Sequence, residues 1–348
     1  MSNIIRIGTR DSQLAVWQAT LVQGLLKKAG VESELVYMKS EGDIDTVTPL
    51  YALGVTGVFT KTLDAALLNN RIDIAVHSMK DVPVQLANGI KQAAVLERGS
   101  HKDIFVPHPN VKDVDALFGR GMISTENTTS IKSGSRSEAE SKTEWTDTGE
   151  PVHAIVATSS IRRIAQWKRR FPHHTIENLR GNVNTRLRKL SESNWTGAIF
   201  AAAGLERIGL RPERAIDLDW MLPAPAQGAI MVVCRQDDHY AFESCQPFDH
   251  KETALCTRVE RDFLSGLMGG CSTPISALAE IKNGELLLKG NIVMPDSYEM
   301  IEISTSTFVK DGEIKELKAL DADNLGIKAA QDILSEGGKD LIERLRNK

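Results

Sequence analysis

Two stretches of this chain, separated by about 150 residues, run through the same succession of elements, and that recurrence constrains the fold more than any other feature. The first opens on the apolar run "NIIRIGT", which predicts a strand. "DSQLAVWQATLVQGLLKKAG" follows, with Leu14, Trp17, Leu21 and Leu25 on one helical face and a stop at Lys27, Lys28 and Gly30. "ESELVYM" predicts the next strand, "VFTKTLDAALLNN" a helix and "IDIAVHS" a third strand. After residue 150 the order returns: strand "HAIVATSS", helix "IRRIAQWKRRF", strand "HTIENL", helix "NVNTRLRKLSES" and strand "GAIFAAA". Both openings place a Thr at the strand end and a Ser just after it. The expectation is two similar α/β domains, each built on a mostly parallel sheet.

The rest of the chain reads differently. From about Phe248 a helix, "KETALCTRVERDFLSGL", precedes strands "ISALAEI", "ELLLKGNIV" and "MIEISTSTFV" and a C-terminal helix beginning near Ala322. That order predicts a smaller α+β third domain. Residues 124–150 are rich in Ser and Thr and nearly free of aliphatics, which predicts a flexible surface insertion unable to bury its own core. The prolines and glycine of "LPAPAQGAI" predict a stiff crossing between domains. If "AIMVVC" then returns to the first domain, two crossings flank a cleft suited to hinge closure. The expected division is residues 1–98 with 228–246, then 99–227 including the insertion, then 247–348.

Composition closes off several function classes. A net charge of −4 over 348 residues gives no electrostatic reason to expect nucleic-acid binding. No apolar run approaches the roughly 18 residues of a membrane span, and "MSNIIRIGTR" lacks the basic and apolar regions of an export signal. A cytoplasmic protein is expected. Cys234, Cys245, Cys256 and Cys271 form no C-x-x-C pair, so neither zinc nor disulfides are expected. Cys234 reads as strand core and Cys256 as helix core, while Cys245 has no clear context. Cys271 stands apart in "LMGGCSTP", behind two glycines that leave backbone space beside it. By itself the octapeptide fits either a packed turn or a presented thiol.

Ligands of open α/β domains bind at the carboxyl ends of the strands. Four motifs fall there: "GTRDS" with Arg10 and Ser12, "HSMKDVP" with Ser78, Lys80 and Asp81, "ATSSIRR" with Thr158, Ser159, Ser160, Arg162 and Arg163, and "LRGNVNTR" with Arg180 and Arg186. Arginine forks and helix N-termini favour carboxylates and phosphates. Their convergence points to a ligand carrying several negative groups, although solvated faces and salt bridges would use the same residues. Asp81 is the acid among these bases, fit to bind a cationic N–H or to move a proton; a turn aspartate is the alternative.

Taken together, "GTRDSQLA", "HSMKDVP", "TSSIRR", "LRGNVNTRL", "AAAGLERIGL", "PAPAQGA" and "GGCSTPI" resemble the porphobilinogen deaminases over nearly the whole chain. The resemblance implies two α/β domains like those of two-lobed solute-binding proteins plus an α+β third domain. It implies joining four porphobilinogens head to tail with loss of ammonia, then hydrolysis to the linear tetrapyrrole. The primer is a dipyrromethane cofactor, held by a thioether to the residue matched by Cys271. By the same match Asp81 contacts pyrrole N–H groups and supports the electron-poor azafulvenium. Lys80, Thr158, Ser159, Ser160, Arg162, Arg163 and Arg186 match the cofactor site; Arg10, Ser12, Arg180, Arg207, Phe59 and Gln227 match positions toward substrate. No metal and no partner beyond porphobilinogen is implied, and a monomer is expected.

One loop departs from the family pattern: "ALGVTG" has Ala52 and Thr56 where lysines are usual. The rival readings are a non-catalytic two-lobed anion receptor and a nucleotide enzyme, the latter without a G-x-G-x-x-G or G-K-[ST] loop to support it.

Overall fold

The computed structural model describes residues 4–39, 60–114, 118, 153–267, 273–309 and 320–346. Cys271, Phe59, Ala52, Thr56 and the 124–150 insertion lie outside the described residues. The first lobe starts with β1 (Ile5–Arg10), α1 (Gln13–Lys28), β2 (Ser33–Met38), α2 (Lys61–Leu68), β3 (Ile74–Ser78) and β4 (Ile90–Val95). The second contains β5 (Asp103–Pro107), β6 (Ile155–Ala157), α3 (Ile161–Arg170), β7 (Thr175–Glu177), α4 (Val183–Glu192), β8 (Gly197–Ala201), α5 (Ala202–Glu206) and β9 (Ile216–Asp217). β10 (Ile230–Arg235) and α6 (His239–Cys245) follow. The third unit holds α7 (Lys251–Gly266), β11 (Ile275–Lys282), β12 (Glu285–Val293), β13 (Met300–Phe308), α8 (Leu320–Ile333) and α9 (Lys339–Arg346).

The two lobes share one topology. Their strand orders are β2-β1-β3-β10-β4 and β7-β6-β8-β5-β9. In each, a parallel trio adjoins two antiparallel pairings. The expected mostly parallel sheets are therefore mixed, for a geometric reason. β10 and β5 emerge from the interlobe crossings, at the end where the parallel strands finish. Ile230 pairs with Ser78, and Asp103 with Ala201, so the first residue of each incoming strand meets the last of its neighbour. A strand entering there can only run backward. β4, β5, β9, α5 and α6 are elements that the periodicity did not single out.

Both sheets are covered on two faces. Ile7, Val22, Leu26 and Val232 pack on one side of the first sheet, and Leu63, Leu67, Ala75 and Val233 on the other. The second sheet buries Phe105, Trp167, Phe171 and Met221 against one face, and Ile104, Val106, Phe200 and Leu205 against the other. Odd and even residues of one strand thus serve opposite faces. Cys234 and Cys245 lie in the first lobe's core and Cys256 in the third unit's. Burial pushes their thiols up, to about 11, 12 and 12 respectively, which leaves them unreactive.

The third unit is an antiparallel β11-β12-β13 sheet with α7 and α8 on its core side. The expected C-terminal helix is two helices, broken where Gly337 turns to φ +103°. Its tie to the lobes is Glu260 of α7, fully buried, whose carboxylate accepts from Arg98 at 2.6 and 3.1 Å and from the backbone N–H groups of Ala226 (2.6 Å) and Ala279 (2.7 Å). The two crossings touch where the Gly99 N–H donates to the Gly228 carbonyl at 3.0 Å. Gly228 has φ +89°, and a Cβ there would sit 2.7 Å from the Gly99 and Ser100 carbonyl oxygens, so only glycine fits this junction.

Candidate active site

The carboxyl ends of the parallel strands face each other across one cavity of about 570 Å³. From the first lobe come Arg10 and Ser12 after β1 and Ser78, Lys80 and Asp81 after β3. From the second come Thr158, Ser159 and Ser160 after β6, Arg180 beyond β7, and Arg186 on α4, with Arg207 following α5. Fourteen candidate residues named from the sequence and lying in the described part border this one space: Arg10, Ser12, Ser78, Lys80, Asp81, Thr158, Ser159, Ser160, Arg162, Arg163, Arg180, Arg186, Arg207 and Gln227. Lys39 adds a further base, and Asp11 is the second acid of the lining.

The basic side chains divide by what already holds them. Asp103, opening β5, is fully buried. Its carboxylate accepts from Arg162 Nη2 at 2.7 Å, from Arg163 Nε and Nη2 at 3.1 and 2.7 Å, and from Gln227 Nε2 at 2.9 Å. Burial alone would raise its carboxyl; Arg162, Arg163 and Lys80 overcome that and hold it well below the usual carboxylate range. Arg162 also donates to the Leu222 carbonyl (2.7 Å) and Arg163 to that of Ile199 (2.9 Å). The two arginines expected to reach ligand carboxylates are thus 4% and 5% exposed and knotted around an internal acid. One carboxylate against two guanidinium groups still leaves a net positive charge beside the cavity.

Other residues of the lining also have partners within the protein. Gln227 was expected to touch substrate; it is fully buried, with Nε2 donating to Asp103 and to the His101 carbonyl (2.8 Å) and Oε1 accepting from Lys80 at 3.2 Å. The amide is a bridge between lobes, with both hydrogens committed. Ser12 caps α1 by accepting from the Ala15 N–H. The Ser159 hydroxyl clasps the Leu179 backbone, donating to its carbonyl and accepting from its N–H. Thr158 Oγ1 accepts from the Ser160 N–H at 3.3 Å. Ser160 occupies the N-cap position of α3 without a side-chain cap bond. Arg207 donates to the Gly228 carbonyl at 2.6 Å and lies 6.0 Å from the Trp17 ring centroid, so it braces the crossing as well as lining the cavity.

Lys80, Asp81 and Arg186 have fewer commitments. Burial pushes the Lys80 ammonium down to about 8, with Asp81 opposing and Arg163 assisting. Burial, then Arg163, lowers Arg186 to about 10; Asp81 opposes this and Arg180 adds to it. Its Nε donates to the Gly181 carbonyl at 2.7 Å. Asp81 ends a single tight turn, Met79–Asp81, and is half-buried; among the described residues no hydrogen bond engages its carboxylate. Cations whose charge is disfavoured by burial and by one another gain most from an anionic ligand.

Sequence reasoning missed Asp103, Arg98, Glu260 and Arg261. A lone acid opening the apolar run "DIFVP" was the available signal for Asp103: such a carboxylate must find buried cations. Nothing local marks the other three.

A family model for the porphobilinogen deaminase dipyrromethane cofactor binding domain matches residues 5–243, and one for the porphobilinogen deaminase C-terminal domain matches residues 254–335. The chain belongs to the porphobilinogen deaminase family. Its activity is that of a hydroxymethylbilane synthase, a transferase that condenses porphobilinogen into the linear tetrapyrrole on a dipyrromethane cofactor. Solved structures with similarity include the BvgS periplasmic VFT2 domain of Bordetella pertussis (10% identity, 70% of this chain and 84% of that one, TM-score 0.35). Others are the methionine-binding protein MetQ (14%, 70% and 89%, 0.38) and the amino-acid transporter binding protein ytmK of Bacillus subtilis (10%, 71% and 90%, 0.36).

The deaminase cofactor fits the residues present. Its acetate and propionate groups need cations. Lys80 and Arg186 feel the charge of Asp81, Arg180 borders the same cavity, and the buried Arg162 Nε has no acceptor among the described residues. The cavity also lies within the roughly 300–1,000 Å³ typical of small-molecule sites.

Proposed function

We propose that Asp81 is the catalytic carboxylate of this deaminase and that Cys271 anchors the dipyrromethane through a thioether. The observation that carries the reading is the placement of Asp81: a carboxylate without a described hydrogen bond, bordering a cavity whose charged lining is otherwise eight bases and one acid, Asp11. The cofactor, when bound, supplies the pyrrole end onto which porphobilinogen is added. Departure of ammonia takes the bonding electron pair and leaves a cationic substrate. A fixed negative charge beside that cation lowers the barrier without reorganising solvent. Asp81 supplies this charge and accepts from pyrrole N–H groups.

Lys80, Ser160 and Arg186 hold the cofactor's carboxylates, supported by the positive field of Arg162 and Arg163. Thr158 and Ser159 shape the β6 end that presents Ser160. Arg10, Arg180 and Arg207 draw in the carboxylates of incoming porphobilinogen, with Ser12 setting the start of α1 behind Arg10. Phe59 belongs to the same substrate side by its family match. The domain division proposed is 1–98 with 228–246, 99–227, and 247–348; pairing of β10 with β3 and β4 supports the return to the first lobe. We also assign a cytoplasmic monomer acting without nucleic acid or membrane. No described helix is long and apolar enough to cross a membrane.

The deciding experiment is the intact mass of the purified protein beside Cys271→Ala. Extra mass equal to a dipyrromethane is expected in the wild type and not in the variant. A wild-type chain of unmodified mass that binds porphobilinogen without consuming it would favour the receptor reading instead.

A further inference from the structure

The short turn that carries Asp81 is held from outside its own lobe. Met79–Asp81 is a single turn closed by the Val82 N–H donating to the Met79 carbonyl at 3.1 Å. Pro83 follows and has no N–H to give. So short a turn cannot by itself fix the direction of a side chain at its last residue. The next three carbonyls, those of Val82, Pro83 and Val84, all accept from one guanidinium. Arg261 Nη1 donates to Val82 O at 2.9 Å, and Nη2 donates to Pro83 O at 2.6 Å and to Val84 O at 2.9 Å.

Arg261 is 8% exposed and belongs to α7 of the third unit. Its neighbour Glu260 grips Arg98 and Ala226 at the crossings and Ala279 of β11 in its own unit. Consecutive positions on a helix point about 100° apart, so α7 reaches the hinge with one residue and the Asp81 turn with the next. A planar fork with five donors suits three carbonyls in sequence, whereas an ammonium is a single point charge.

We propose that Arg261 is a positioning residue for the reaction: it fixes the backbone that follows Asp81 and so sets the carboxylate against the substrate. The proposal rests on the assignment of Asp81 as the catalytic carboxylate. Misplacing a reacting group by about an ångström costs up to about 100-fold.

The test uses cofactor-loaded enzyme, with loading verified by intact mass. Arg261→Gln should lower kcat by on the order of 10- to 100-fold while KM for porphobilinogen stays within about twofold. Arg261→Lys should recover part of kcat, and it serves alone if the Gln variant does not fold. In an Asp81→Glu background, where the carboxylate is already displaced, Arg261→Gln or Arg261→Lys should cost much less than in the wild type, since coupled residues are not additive. A normal kcat in Arg261→Gln, or the same loss in both backgrounds, overturns the proposal. Near-normal turnover in Asp81→Asn would remove the catalytic reading of Asp81 instead, so the two failures are distinguishable.

Discussion

Asp81 and Asp103 are two carboxylates joined through a short bridge, Lys80 to Gln227 to Asp103, and they are treated in opposite ways. Asp103 is sealed from solvent and meets two guanidinium groups and an amide. Asp81 stands half-exposed on the cavity wall, with no described hydrogen bond. The difference shows how a site can be strongly basic without collapsing on its own acid. Arg162 and Arg163 spend one unit of positive charge on an internal carboxylate that cannot reach the ligand. Asp81 remains uncommitted for the cation that chemistry creates. A catalytic carboxylate and a structural one differ here in their partners and not in their residue type.

The comparison breaks most visibly at Asp81. Asp81→Asn keeps size and removes charge, so the fold and the cofactor load should persist while turnover drops about 10²- to 10⁴-fold, the range for losing one charged catalytic group. Steady-state kinetics with intact mass check this. Asp103→Asn should act the other way, on stability first. Removing one partner of a buried ion pair leaves the others uncompensated, at about 3–5 kcal/mol, read as a fall in the unfolding midpoint.

The pH dependence has a defined sign. Because the folded Asp103 titrates below its ordinary value of 3.8, its stabilisation is complete above the ordinary carboxylate range. It is lost as pH falls from about 4 through the depressed folded value. Asp103→Asn should lack that acid limb.

The smallest effect belongs to the bridge. Lys80 titrates at about 8 in the folded chain instead of 10.5, so its charge fades as pH rises through 8. Cofactor loading of the unloaded chain should decline across that range, and Lys80→Arg should extend the plateau because guanidinium stays charged. A pH profile of loading unchanged by the substitution would leave Lys80 out of the charge balance. For folding the sign differs: between pH 8 and 10.5 the native chain binds fewer protons than the unfolded one, so stability rises with pH there.

Much of this was legible in the linear chain. The strand ends bearing Arg10, Asp81, Ser160 and Arg180 could be named because a strand followed by a helix places its junction at the ligand edge, whatever the rest of the fold does. The three β-strands of the third unit could be named as segments as well. Less legible were the partners. Asp103 lies some 60 residues from the two arginines it holds, and Gln227 about 125 residues from Asp103. No local pattern reports a contact of that span. The mixed character of the sheets was hidden for the same reason: the direction of β5 and β10 is set by where the crossings enter.

The sequence alone therefore determined many of the side chains that border the cavity, because period and turn chemistry are local. Only the tertiary structure decided what each one does there. Whether a charge meets a ligand or another residue depends on which groups share its desolvated space, and folding chooses those from far along the chain. Arg162 and Arg163 looked in sequence like hands extended to a ligand. In the fold they are closed around Asp103, because an acid buried at the start of β5 would otherwise be too costly to leave unpaired.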